Sequence, residues 1–397
     1  MMDKTFHESR KIRHTWFLVL ALVLLATGCT TIPTHYKSIE DWENVELPSY
    51  LYLVDNFRTQ WWYYTGHLMG EDGTEFGFEL CFFVRRTGGD RYMGIPVRYY
   101  SNPAHLAHFA ITDLSKKKFT YDDRRNKDAF TKNGNGGALK NSLCVWNGDW
   151  SVEQIGGKYY LKASMKGYRL LLALSPETPV IRLGDEGRFV KQRIKTFDVV
   201  EERGTYYITI PRLKAEGVLF VDGKPLDVTG TAWFDREIGT RQLGENQIGW
   251  DWFAIQLDDG TDLMVYLIKN EDATYDKKTS RAILFRSDGS MEEIPYKDME
   301  IIPKDNWISP RTSAEYITSW EIKIKREKLD LKVSAVMQDQ EIDSHKSTKV
   351  IYWEGKMDVV GIKDGKPVKG MAYLEMCGNA HPVRHLSFNM YSREGER

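Results

Sequence analysis

Cysteine is scarce in this chain: four in 397 residues, at positions Cys29, Cys81, Cys144 and Cys377. None stands in a Cys-x-x-Cys pair, so neither a structural zinc site nor a redox motif is indicated. Beyond Cys29 the three that remain allow one disulfide in an oxidising compartment and leave a thiol over. Excess charge is missing too. With 55 Lys and Arg against 56 Asp and Glu, the net charge of −1 supplies no basic field for nucleic acid. The apolar run at 16–26 is eleven residues long, well short of the roughly 20 that cross a bilayer. No Gly-x-Ser-x-Gly occurs, so there is no sign of a nucleophile elbow. Gly134-Asn135-Gly136-Gly137 lacks the Lys-Ser/Thr of a phosphate loop and carries no nucleotide role. No helical periodicity runs long enough for an α/β sheet.

What the N-terminus does have is an address. Lys4, Arg10, Lys11 and Arg13 precede the apolar run, which ends in Ala26-Thr27-Gly28-Cys29. Small residues before a cysteine resemble a bacterial lipoprotein signal. Residues 1–28 would then be removed, Cys29 would be lipidated, and 29–48 would be a tether. The expected location is the bacterial cell envelope, lipid-anchored, in the periplasm or at the outer membrane.

Aromatic residues are abundant, with 12 Trp, 21 Tyr and 17 Phe, which suits β-structure or a ligand-lined cavity. The densest stretch is Gln60-Trp61-Trp62-Tyr63-Tyr64-Thr65-Gly66-His67-Leu68. After Asp72-Gly73-Thr74 comes Phe76-Gly77-Phe78-Glu79-Leu80-Cys81-Phe82-Phe83. Two β-preferring runs around an Asp-Gly signal predict a hairpin. Four consecutive aromatics exceed the alternation of a half-buried strand, so one face packs a core and the other lines a pocket. Further strands are expected at 143–150, 159–165, 168–175, 206–213 and 214–221, with 122–140 a long loop. Regular short strands between turn signals argue for an all-β barrel or sandwich.

The pattern occurs twice. Trp250-Asp251-Trp252, Asp259-Gly260-Thr261 and the run 263–268 echo the first hairpin. Gly230-Thr231-Ala232-Trp233-Phe234-Asp235 is echoed by Gly370-Met371-Ala372-Tyr373-Leu374-Glu375. Two such units imply two similar β-domains in tandem, 49–236 and 237–397.

Strand alternation places residues two apart on one face. Trp61, Tyr63, Thr65 and His67 share a side, as do Thr231, Trp233, Asp235 and Glu237. An acid beside an aromatic recurs in strands that otherwise look buried. A buried carboxylate is costly unless paired, and burial raises its pKa, so Glu79, Asp235, Glu237, Asp251 and Glu375 are the informative acids. Arg236, Arg241 or Lys269 could pair with any of them and serve structure alone. His108 is the best histidine candidate. His105 and His108, three apart, face opposite ways and would not chelate one metal, and no metal or other cofactor is expected.

These motifs, with His108-Phe109-Ala110-Ile111-Thr112-Asp113 and Gly249-Trp250-Asp251-Trp252-Phe253, are similar to the AttH-like and hydroxyneurosporene synthase (carotenoid 1,2-hydratase) family. The resemblance covers nearly the whole mature chain. It implies two tandem lipocalin-like (calycin) antiparallel β-barrel domains and an apolar, isoprenoid- or lipid-like ligand. The activity implied is that of a hydro-lyase: a neutral carboxylic acid protonates a C=C bond, aromatic faces hold the cation, and water adds. Asp235 is the first choice for the acid, with Glu237 and His108 as further catalytic candidates. Glu79, Asp251 and His108 would orient the water or hold the acid. Trp61, Tyr63 and Trp233 would line the ligand, together with Tyr373 and Glu375. A non-catalytic carrier of hydrophobic ligands and a secreted hydrolase, the label many family members bear, are the alternatives.

Overall fold

The computed structural model describes residues 36–383 apart from 42–43, 45, 87–90, 93–94, 97–102, 128–134 and 197–198. The signal segment, Cys29 and the start of the tether lie outside the described residues. Among those described, regular structure is β apart from three single-turn 3-10 helices.

The aromatic stretch forms the strand Thr59–Gly70, which pairs antiparallel with Glu75–Arg85. Gly73 turns the chain at φ +82°, which only glycine adopts freely, and the Asp72 carboxylate accepts the Thr74 amide at 2.9 Å. The second hairpin, Gln247–Leu257 with Asp262–Asn270, repeats this chemistry. Its Gly260 has φ +83°, and Asp259 accepts the Thr261 amide at 3.0 Å.

Each hairpin anchors its own sheet. In the thirteen-stranded first sheet, Lys224–Gly239 returns to pair with Thr59–Gly70, placing Asp235 opposite Tyr63. The edge strands Lys118–Lys127 and Gly136–Ala138 approach each other, and Asn126 donates to Asn147 across the gap at 2.5 Å. The result is a nearly closed barrel. In the ten-stranded second sheet, Lys366–Cys377 returns to Gln247–Leu257 and places Glu375 opposite Trp252. Its edges, Met291–Pro295 and Glu300–Pro303, leave a half-barrel. The architecture is all-β, with two tandem barrel-like units.

Alternation assigns one face of each sheet to its own core. Trp62, Tyr64, Leu68, Phe78 and Leu80 point into the first barrel; Phe253, Ile255, Val265 and Leu374 fill the second. The opposite faces pack against each other through Tyr63, Trp233, Trp252, Ala254 and Tyr266. The sheets come close enough here that a Cβ on Gly77 would lie 2.9 Å from the Lys356 Cβ.

Three local expectations are revised. Residues 143–150 hold two strands, Cys144–Asn147 and Trp150–Ile155, because Gly148 turns the chain at φ +65°. Residues 206–221 belong to one strand, Val199–Val221, that absorbs Pro211 in a bulge between Ile210 and Leu213. Part of the expected loop at 122–140 is strand, in Lys118–Lys127 and Gly136–Ala138, where ladder pairing overrides polar composition. The disulfide that the cysteine count allowed is not formed: Cys81, Cys144 and Cys377 are free thiols.

Candidate active site between the two sheets

The hairpin face turned away from the first core meets the matching face of the second sheet, and a cavity remains between them. Its volume is about 70 Å³, and it is partly open to solvent. Trp61, Tyr63 and Phe83 wall it from the first sheet, Trp250, Trp252 and Tyr266 from the second. Four carboxyl groups, those of Glu79, Asp235, Glu237 and Glu375, reach the same space. A fifth acid, Glu354, is fully buried behind Tyr63, whose hydroxyl donates to its Oε1 at 2.6 Å.

These acids sit in different settings. Glu237 is an ion pair: Lys191 Nζ lies 2.6 Å from its Oε2, and Thr205 donates to the same oxygen. Lys191 is the residue at which the Arg188–Thr196 strand slips register, and this bulge frees the side chain to turn inward. Asp235 accepts on both oxygens, from the Tyr207 hydroxyl at 2.5 Å and the Trp233 indole at 2.8 Å. Burial still pushes its carboxyl up to about 7, because the cost of desolvating the anion exceeds what these donors return. Glu375 accepts from the Trp250 indole at 3.0 Å, and burial raises it as well.

Glu79 differs from all of these. Its Oε1 accepts from the Tyr352 hydroxyl at 3.4 Å, while Oε2, also buried, has no hydrogen-bond partner among the described residues. Burial, then repulsion from Glu375, pushes its carboxyl up to about 8. Glu354 is raised well above the ordinary range for the same reasons, with Glu375 and Glu79 as the neighbouring charges. Glu79 at neutral pH is therefore a carboxylic acid, with one oxygen accepting and the other free to carry the proton.

His108 extends this arrangement. Its Nδ1 lies 2.6 Å from the Tyr352 hydroxyl, and Nε2 lies 3.0 Å from Ser347 Oγ. Burial lowers the imidazole to about 3, so the ring is neutral. A ring donating from Nδ1 leaves the Tyr352 proton for Glu79. Ser347 beside His108 has the spacing of a nucleophile and its base. Thr348 rather than Ser347 lines the cavity, however, and Ser347 is fully buried.

The AttH-like family model matches residues 39–379. The chain belongs to the AttH-like family. The crystal structure of a protein from Nitrosomonas europaea assigned to AttH is similar, with 27% identity and a TM-score of 0.72 over 85% of this chain and 98% of that one. Kievitone hydratase from Nectria haematococca shares the fold at 15% identity and a TM-score of 0.61, over 86% and 95% of the two chains. CghA does so at 12% and 0.52, over 82% and 90%. No curated protein matches in sequence.

In this AttH-like chain the cavity gathers Asp235, Glu237, His108, Trp61, Tyr63, Glu79 and Glu375 from the residues singled out in the sequence. Three others stand back from it. Trp233 holds Asp235 and packs edge-on against Trp252, ring centroids 6.0 Å apart. Asp251 is clamped by Lys269 at 2.6 Å and by the Tyr275 hydroxyl at 2.6 Å. Tyr373 packs against His67, centroids 5.9 Å apart. Of the three cations considered as structural partners, only Lys269 pairs with one of the five acids; Arg241 pairs with Glu201, and Arg236 holds Gln60 and backbone carbonyls inside the first barrel.

Sequence reasoning missed Tyr207, Tyr352, Glu354 and Lys191. Tyr352-Trp353-Glu354 obeys the same rule of an acid beside aromatics in a buried strand and was findable by it. Lys191 was not, because its direction depends on a bulge.

Proposed function

We propose that this AttH-like protein adds water to a C=C bond of an apolar, isoprenoid-like ligand held between its two sheets. One observation carries the reading: Glu79 presents to an aromatic cavity a buried oxygen that has no hydrogen-bond partner among the described residues, and it is held protonated at neutral pH. In the first step Glu79 Oε2–H protonates the alkene; the π electrons form the new C–H bond and Glu79 becomes a carboxylate. The resulting tertiary cation is stabilised by the faces of Tyr63, Trp61 and Trp252. Water oxygen then bonds to the cationic carbon and gives up a proton to Asp235, which is better supplied with donors and titrates lower. Release of that proton from Asp235 and uptake of one by Glu79 restore the site.

This exchanges the roles that the sequence suggested, with Glu79 as acid and Asp235 as base. A hydratase among proteins of the same fold is in keeping with the reading, by analogy alone. We further propose that the protein works in the cell envelope as a lipoprotein anchored through Cys29, as its N-terminal sequence suggests. The decisive experiment incubates the protein with terminal isoprenoid alkenes in H₂¹⁸O and follows the label by mass spectrometry. Tertiary alcohol carrying the label is expected from the native protein and not from Glu79→Gln. Binding without labelled product would instead make the protein a carrier.

A further inference from the structure

A site that stabilises a carbocation faces a question its own residues can answer: does it also take a stable cation? One ammonium is already seated at its edge. Lys191 Nζ lies 5.0 Å from the ring centroid of Tyr266, 5.8 Å from Trp61 and 5.9 Å from Tyr207, in the manner of an aromatic cage. Its charge is used by Glu237. The aromatic wall continues past it through Tyr63 and Trp252, which meet edge to face at 5.3 Å.

Along that continuation acids outnumber cations. Among the described residues, Glu79, Asp235, Glu354 and Glu375 form no ion pair, and Glu79 and Glu354 each keep one buried oxygen without a partner. Glu79 is 1% exposed and lines the cavity. A neutral ligand meets these acids in their protonated form; a cation gives them a counter-charge once they ionise.

We propose that the cavity is a receptor for organic ammonium ions, binding a methylated or tertiary ammonium on the Tyr63 and Trp252 faces with Glu79 as its counter-charge. The proposal rests on reading the cavity as a site built for a cationic intermediate, and it identifies the chemical class of ligand and inhibitor that site selects.

Binding should depend on pH, and the groups facing the cavity fix the sign. The first hairpin contributes Tyr63, Glu79 and Cys81, and the strand Ala104–Asp113 contributes His108. The strands Val199–Val221 and Lys224–Gly239 contribute Tyr207, Asp235 and Glu237. From the second sheet come Tyr266, Tyr352, Glu375 and Cys377. Burial keeps the phenols and thiols protonated past their ordinary values and His108 uncharged. Between pH 6 and 9 Glu79 and Asp235 turn into carboxylates, and the raised acids Glu375 and, behind Tyr63, Glu354 change in the same sense wherever they ionise. Affinity for a fixed cation rises with pH, and by linkage the bound cation expels protons near neutrality.

Benzyltrimethylammonium and neopentylbenzene have the same shape and differ in charge. Calorimetry with the full-length protein should show the ammonium bound at least about tenfold more tightly than the hydrocarbon at pH 9. At pH 6 the preference should fall to about threefold or less. Near pH 7.5 the heat of ammonium binding should vary with the buffer's ionisation enthalpy, reporting proton release. Glu79→Gln should reduce the preference at pH 9 by about fivefold or more. Equal affinity for the two ligands at pH 9, a preference unmoved by pH, or no binding of either compound would overturn the proposal. The pH arm uses the native protein and does not depend on the variant folding. The ¹⁸O experiment reads the hydratase function separately, so ammonium preference without labelled product would sink that function and leave this inference standing.

Discussion

Tyr63 and Trp252 meet edge to face across the two sheets, ring centroids 5.3 Å apart and planes at 89°. Each also lies directly opposite the acid that closes its own repeat, Tyr63 opposite Asp235 and Trp252 opposite Glu375. The two halves of the chain thus bring equivalent aromatic–acid pairs to one interface, and the cavity is where those pairs face each other. Several consequences can be measured.

Activity should have a narrow optimum. Asp235 must be ionised to accept a proton and Glu79 protonated to give one, so kcat/KM should rise with pH through about 7 and fall through about 8. Glu79→Gln should lower turnover at least about 100-fold, and in what remains the alkaline limb should be gone. Asp235→Asn should remove the acidic limb. An unaltered pH profile in both variants would refute the assignment.

Stability should fall as pH rises. In the folded protein Glu79 titrates at about 8 against an ordinary 4.5, and Asp235 at about 7 against 3.8. Folded protein holds protons that the unfolded chain has lost, so this stabilisation is complete below the ordinary values. It is lost as pH climbs to about 7–8 and is constant beyond. Thermal melting should show a declining Tm between pH 5 and 8, with a shallower slope in Glu79→Gln. A Tm that rises over this interval would contradict the buried-acid arrangement.

Removing the Tyr63 hydroxyl strips Glu354 Oε1 of the one donor it has among the described residues. Tyr63→Phe should cost about 1–3 kcal/mol in chemical denaturation, since Glu354 keeps its burial and loses its hydrogen bond. A change below about 0.5 kcal/mol would indicate that Glu354 finds another partner.

Lys191→Met should be the more damaging change. It leaves Glu237, 4% exposed, without its cation, a loss of about 3–5 kcal/mol. Lys191→Met combined with Glu237→Gln should recover most of it, because no uncompensated charge remains. Absence of recovery would show that Lys191 acts through packing on Trp61, Tyr207 and Tyr266 instead.

Anchoring is tested by fractionation. The native chain should label with palmitate and partition with membranes, whereas Cys29→Ser should do neither. Soluble, unlabelled native protein would exclude the anchor.

Much of this was legible in the sequence. Alternation alone separates Trp61 and Tyr63 from Trp62 and Tyr64, because successive side chains in a strand must point to opposite faces. The repeated Asp-Gly-Thr turns and the Gly-x-Ala strands disclose two equivalent units, and an acid beside an aromatic in a buried strand marks Glu79, Asp235 and Glu375. Asp251 obeys the same local rule and faces Lys269 instead, since a pattern along one strand cannot show what lies across from it. Tertiary structure alone decides which acid is clamped and which keeps a free oxygen. It also turns Lys191 inward at a bulge, a backbone event with no side-chain signature. Above all it puts the aromatic, acid-lined cavity between the sheets. Alternation tells a strand that it has two faces; only the packing of one sheet on the other determines which partner each face receives, and hence how much water its carboxyls lose.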